Sequence, residues 1–116
     1  MEIVVREVWQ DNLEQEFSEI ARAPPHHRFV ALDTEFPGHV YLAPCRSHSK
    51  LSLVENYPSI KRNVDSIRII QLGLTTCDAN GDSYFVWLFN FRDFNKDTGL
   101  FNPDSIALLE RQGIDF

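Results

Sequence analysis

The apolar and polar positions of the chain fall into blocks that each favour one kind of element. Leu13, Phe17, Ile20 and Ala21 recur at spacings of four, three and one, which lays a single apolar stripe along a helix. Asn12 stands where an N-cap belongs, with Glu14 and Gln15 in the first turn. Trp9 can close back on Leu13 or Phe17 as a hydrophobic staple. Pro24-Pro25 ends the helix, because proline cannot continue its hydrogen-bond ladder. Phe29 to Leu32 is apolar at every position, the pattern of a central strand buried on both faces. Pro37-Gly38 then turns the chain, and residues 39–56, with Pro44, three serines and two histidines, predict a long surface loop.

Tyr57 to Ser66 reads as a helix, with Tyr57, Ile60 and Val64 facing the core. Ile67 to Thr75 alternates as a strand. Ile70, Leu72 and Leu74 form its apolar face, while Gln71, Gly73 and Thr75 share the other. Asp78 to Asp82 is a turn with Asn80-Gly81 as a two-residue hairpin centre. Tyr84 to Phe91 is the return strand, and its aromatic residues predict sheet packing. Asn102 caps a last short helix with Pro103 at its first position, anchored by Ile106 and Leu109 and stopped at Gly113.

Composition narrows the function classes. With 43% hydrophobic and 12% aromatic residues over 116 positions, the chain is no disordered acidic tail. Eleven Lys and Arg against 17 Asp and Glu leave a net charge of −6, which disfavours a general basic nucleic-acid binder. A nuclease whose positive charge arrives as metal ions stays open. The apolar runs are far shorter than the about 20 residues of a transmembrane helix, and the N-terminus shows no secretory pattern. Cys45 and Cys77 are isolated, without zinc-binding spacing, and read as reduced thiols of an intracellular protein. His26 and His27 read as a polar loop, and His39 and His48 as residues of another.

One constellation carries chemistry: Asp33-Thr34-Glu35 at the end of the apolar strand. Residues i and i+2 of a strand share a face, so the two carboxylates lie side by side, about 6–7 Å apart at the backbone. Their mutual repulsion is relieved by a hard divalent cation such as Mg²⁺. Two cations can activate a water and stabilise the leaving oxygen of a phosphodiester. Against this, a D-x-E triplet also occurs as ordinary solvated strand residues. Phe36 can stack on a base or anchor a core, Gln71 can bond a neighbour, and Lys61-Arg62 reads as a solvated basic spot.

Taken together, the blocks resemble a known family. The run 3–14 (IVVREVWQDNLE) is similar to the N-terminal signature of the eukaryotic poly(A) deadenylase subunit of the Not-scaffold complex, a DEDD-type 3′→5′ exoribonuclease. Asp33-Thr34-Glu35-Phe36-Pro37-Gly38 resembles its first exonuclease motif. Asn63-Val64-Asp65 with 70–75 (IQLGLT), then 87–92 (WLFNFR), then 104–106 with 113–116, resemble the blocks that follow, in the family's order.

The resemblance implies a ribonuclease-H-like α/β fold, of which residues 1–116 are the N-terminal portion of one domain, with an antiparallel three-strand meander and flanking helices. It implies Mg²⁺- or Mn²⁺-dependent removal of AMP from mRNA tails, in the nucleus and cytoplasm. The partners it implies are the poly(A) 3′ end, the Not scaffold and a leucine-rich-repeat deadenylase. Asp33 would bridge two metals, Glu35 would bind the one holding the attacking water, and Phe36 would line the nucleotide pocket. The family's two later aspartates and its water-orienting histidine have no counterpart in these residues. With two of four metal carboxylates missing, the chain alone is expected to be inactive, and the alternative is a catalytically incomplete relative acting through partner binding.

Overall fold

The computed structural model describes residues 1–41 and 52–116; Cys45 and His48 lie outside the described residues. Strand β1 (Glu2–Val8) leads through a short 3-10 turn (Gln10–Asn12) into helix α1 (Leu13–Ala21). Then come β2 (Phe29–Glu35), α2 (Leu53–Ser66), β3 (Gln71–Cys77), β4 (Ser83–Asn90) and α3 (Pro103–Arg111). The chain forms two compact units: Met1–Glu35 with Ile70–Arg92, and Phe36–Ile69 with Asp93–Phe116.

The first unit is a four-stranded sheet in the order β1-β4-β3-β2. The meander β2-β3-β4 is antiparallel, as expected. β1 adds to it in parallel, pairing Val4 with Phe85, Arg6 with Trp87 and Val8 with Phe89. This strand is absent from the sequence reading, although Ile3, Val4, Val5 and Val8 are β-branched and no turn residue interrupts them. Charged Glu2, Arg6 and Glu7 blur the alternation on which that reading relies.

α1 covers one face of the sheet. Phe17 meets Phe89 with ring centroids 5.7 Å apart. The expected apolar stripe is not what α1 buries: Leu13 and Phe17 stay partly exposed, and the buried residue is Glu16, 4% exposed. Arg6 of β1 donates to it twice, from Nε to Oε2 at 2.5 Å and from Nη2 to Oε1 at 2.8 Å. Trp9 remains exposed rather than stapled. Asn12 folds back instead, accepting from the Trp9 N–H at 2.7 Å and donating to the Glu7 carbonyl at 3.0 Å.

The Arg6 hydrogen bond holds the Glu16 carboxyl below the usual glutamate range; burial opposes this, and the Arg6 charge adds to it. A carboxyl lowered in the folded state stabilises the fold above the unfolded value of about 4.3 and loses that contribution as pH falls through the lower folded value. Urea midpoints measured from pH about 6 down to about 3 should therefore fall more steeply for the unsubstituted protein than for Glu16→Gln. Equal slopes would show that this pair contributes nothing to acid sensitivity.

β2 lies at one edge of the described sheet, and Val30 and Leu32 are 64% and 67% exposed. Apolarity on both faces describes the strand, but β3 pairs with only one of its edges, and no described element pairs with the other. The first unit's core is instead Val8, Ile70 and Trp87. The hairpin connection is the five-residue segment 78–82 rather than a two-residue centre. Asp78 Oδ1 holds it by accepting from the Asp82 and Ser83 N–H groups at 2.9 and 3.3 Å. His27 is half-buried, its ring nitrogens 2.9 Å from Thr76 Oγ1 and 2.9 Å from Ser83 Oγ, so it is a structural bridge and not merely a polar loop residue.

In the second unit, α2 begins four residues earlier than its sequence suggests. Ser52 caps it by accepting from the Glu55 N–H at 3.1 Å, and Pro58, which resembles a helix start, sits inside it. Tyr57, Ile60 and Val64 are exposed, and the residue that α2 buries is Asn63, 3% exposed. Asn63 Oδ1 accepts from the Val40 and Tyr41 N–H groups at 2.7 and 2.9 Å, and Nδ2 donates to the Tyr41 and Ser59 carbonyls at 2.8 Å each. One side chain thus bonds four backbone groups. α3 is capped as expected: Asn102 Oδ1 accepts from Asp104 N–H at 3.0 Å, and Ile106 and Leu109 are buried.

Candidate active site

Asp33 and Glu35 close β2 on the sheet face opposite α1. Register decides this. Arg6 and Trp87 point to the α1 side, Trp87 stands opposite Leu74, and Leu74 stands opposite Leu32. Asp33 and Glu35 alternate with Leu32 and so take the other face. Their neighbours across the sheet are Gly73 and Gln71.

The local chain fixes this end of the strand. The Glu35 carbonyl accepts from the Ile70 N–H at 2.8 Å, and the Ile70 carbonyl accepts from the Phe91 N–H at 3.0 Å. Asp33 is exposed and Glu35 half-buried. Among the described residues neither carboxylate has an ion-pair or hydrogen-bond partner. Gly73 places no side chain beside Asp33, so the face is open there. Two adjacent hard oxygen donors with no protein cation to balance them suit Mg²⁺ or Mn²⁺. They supply only part of a coordination shell, since among the described residues no group of three or more acidic, His or Cys side chains gathers.

Phe36 opens the second unit, 40% exposed, with its ring edge-on to His39 at 6.1 Å between centroids. It is not a buried core anchor. Gln71 bonds a neighbour, as expected: Nε2 donates to Asn90 Oδ1 at 2.9 Å. Lys61 pairs with Asp65, and the Arg62 guanidinium lies 3.8 Å over the Tyr41 ring. Asn63 and Asn90 fall in the family-like blocks, but their bonding roles are not read from the sequence, since a single asparagine carries no periodic signal.

A family model described as CAF1 family ribonuclease matches residues 8–116. The chain belongs to the CAF1 ribonuclease family. Among CAF1 relatives, the Arabidopsis thaliana protein named probable CCR4-associated factor 1 homolog 7 is 42% identical, covering 98% of this chain and 44% of its own length. The poly(A) ribonuclease pop2 of Schizosaccharomyces pombe is 40% identical, covering 97% of this chain and 33% of its own. The S. pombe Pop2p structure in its Mg²⁺- and Mn²⁺-bound form superposes with a TM-score of 0.75 at 38% identity, over 97% of this chain and 44% of that one. The CAF1 co-crystallized with the yeast NOT1 MIF4G domain gives a TM-score of 0.63 at 32% identity, over 97% of this chain and 40% of that one. The chain spans less than half the length of these CAF1 proteins. The ribonuclease-H-like α/β fold class expected from the motifs is thereby established, with β1 as the added parallel strand.

Proposed function

We propose that the protein is a metal-dependent 3′→5′ exoribonuclease that shortens poly(A) tails. Residues 1–116 contribute the N-terminal portion of its single catalytic domain. The observation that carries this is the pair Asp33 and Glu35, side by side and unpartnered among the described residues on an open sheet face, within a CAF1 family match over 8–116. Asp33 and Glu35 would hold Mg²⁺ or Mn²⁺, whose chemistry is to acidify a water and stabilise the leaving 3′ oxygen. The two side chains orient that charge on the open face, and the bare Gly73 position leaves room beside Asp33 for a phosphodiester. Phe36, with part of its ring exposed, is suited to stack on a base.

The relatives named poly(A) ribonuclease and the CAF1–NOT1 complex support a poly(A) 3′ end as substrate and a Not scaffold as partner. A leucine-rich-repeat deadenylase as second partner, and a place in both cytoplasm and nucleus, follow from the same reading. A second reading, a partner-binding relative that does not cut, is favoured by the absence of a third metal-ligating side chain beside the pair among the described residues. A 5′-labelled oligo(A) separates the two. Stepwise trimming in Mn²⁺ that EDTA abolishes is the expected result for the protein. Stable binding to a Not scaffold without any trimming would favour the second reading.

A further inference from the structure

The polar side chains on the open face fall in one transverse row. Glu35 on β2 stands opposite Gln71 on β3, and Gln71 stands opposite Asn90 on β4. Asn90 Nδ2 donates to Glu7 Oε2 at 2.7 Å and to the Val8 and Leu88 carbonyls at 3.2 Å each. All three of these oxygens can only accept, so the NH₂ end of Asn90 must face them and Oδ1 must face Gln71. Gln71 meets Oδ1 with its own NH₂, at 2.9 Å, which turns Gln71 Oε1 away from Asn90. The row therefore has a direction, and it ends in a carbonyl oxygen on the residue opposite Glu35. An ionised Glu35 also only accepts. Directly opposed side chains start about 4.5–5.5 Å apart at Cβ, and two acceptors so placed repel unless a donor or a cation joins them. Among the described residues no Lys, Arg or His side chain does so.

We propose that Asn90 and Gln71 are positioning residues for the cation site: the fixed Asn90 amide holds Gln71 Oε1 on the Glu35 side, where it accepts a hydrogen bond from a cation-bound water. This rests on the reading of Asp33 and Glu35 as metal ligands. Groups that bond a metal's ligands rather than the metal itself change affinity by about 10- to 100-fold. The lower figure applies to a half-buried amide.

The test is a Mn²⁺ titration of the protein followed by electron paramagnetic resonance, together with the water-proton relaxation that bound Mn²⁺ induces. Gln71→Met keeps the length and removes the oxygen. It is expected to weaken Mn²⁺ binding about 10-fold and to change the relaxation per bound ion, with the thermal transition retained. A Gln71→Met protein with unchanged affinity and unchanged relaxation would overturn the inference. Loss of all Asp33-dependent Mn²⁺ binding in the unsubstituted protein would instead overturn the metal reading beneath it. If Gln71→Met does not fold, the unsubstituted protein decides: bound Mn²⁺ should broaden the Gln71 side-chain amide resonance before that of Asn90. A Gln71 signal left sharp at saturation would overturn the proposal.

Discussion

Asp33→Asn is expected to lower metal-dependent trimming of oligo(A) about 1,000-fold, the rate equivalent of about 4 kcal/mol of lost charge stabilisation in the transition state. Asparagine keeps the shape of the side chain and one oxygen but removes the charge that holds a cation. Because Asp33 is exposed and makes no hydrogen bond within the described residues, its replacement should leave the fold intact. Circular dichroism and the thermal midpoint should therefore match the unsubstituted protein. Replacement also removes a repulsion between neighbouring carboxylates, so the midpoint in EDTA should, if anything, rise slightly. Full activity in Asp33→Asn would refute the assignment of the site. Loss of activity together with loss of the thermal transition would show that Asp33 is structural.

The largest effect on stability is expected at Trp87. Its side chain is 1% exposed at the centre of the sheet, edge-on to Phe85, and it forms much of a small core with Val8 and Ile70. Trp87→Ala should cost about 3–5 kcal/mol, through lost transfer energy and the cavity left behind. Against a typical total of about 5–15 kcal/mol, that is enough to unfold much of the first unit. The Trp87 indole N–H is buried and has no hydrogen-bond partner among the described residues. Trp87→Phe gives up ring area but also removes this unpaired donor, so it should cost about half as much or less. Urea unfolding followed by near-ultraviolet circular dichroism reads both. A Trp87→Ala midpoint equal to that of the unsubstituted protein would show that the core lies elsewhere.

What the sequence discloses depends on how local the signal is. The α3 cap, the β3–β4 hairpin and the D-x-E face are set by residues close to each other in the chain, and each is where periodicity or spacing puts it. Several failures are non-local. Whether Phe29 to Leu32 lies in the middle or at the edge of a sheet depends on which strand supplies its second neighbour, and nothing within those residues records that. Glu16 reads as a solvated helix residue until Arg6, ten positions away, meets it across the sheet face. Asn63 reads as an ordinary helix position because its partners Val40 and Tyr41 lie 23 and 22 residues earlier. Buried polar residues break the hydrophobic pattern that locates helices and strands, so the side chains that satisfy the most backbone groups are the hardest to find from pattern alone.

The motif proposed to carry the chemistry also ends in a glycine whose reason is different. Gly38 has φ +91°, and a Cβ there would fall 2.2 Å from Ser105 Oγ and 2.9 Å from the Asn102 Cβ. Its lack of a side chain is demanded by α3, which begins at Pro103 just after its Asn102 cap, and its positive φ suits glycine independently. On the proposed reading, the six residues from Asp33 to Gly38 therefore meet two unrelated demands, one of charge and one of clearance. A relative that changed Asp33 would still be bound to keep Gly38. Persistence of the glycine in a sequence would thus be a record of inherited architecture, and only the carboxylates would testify to a living active site.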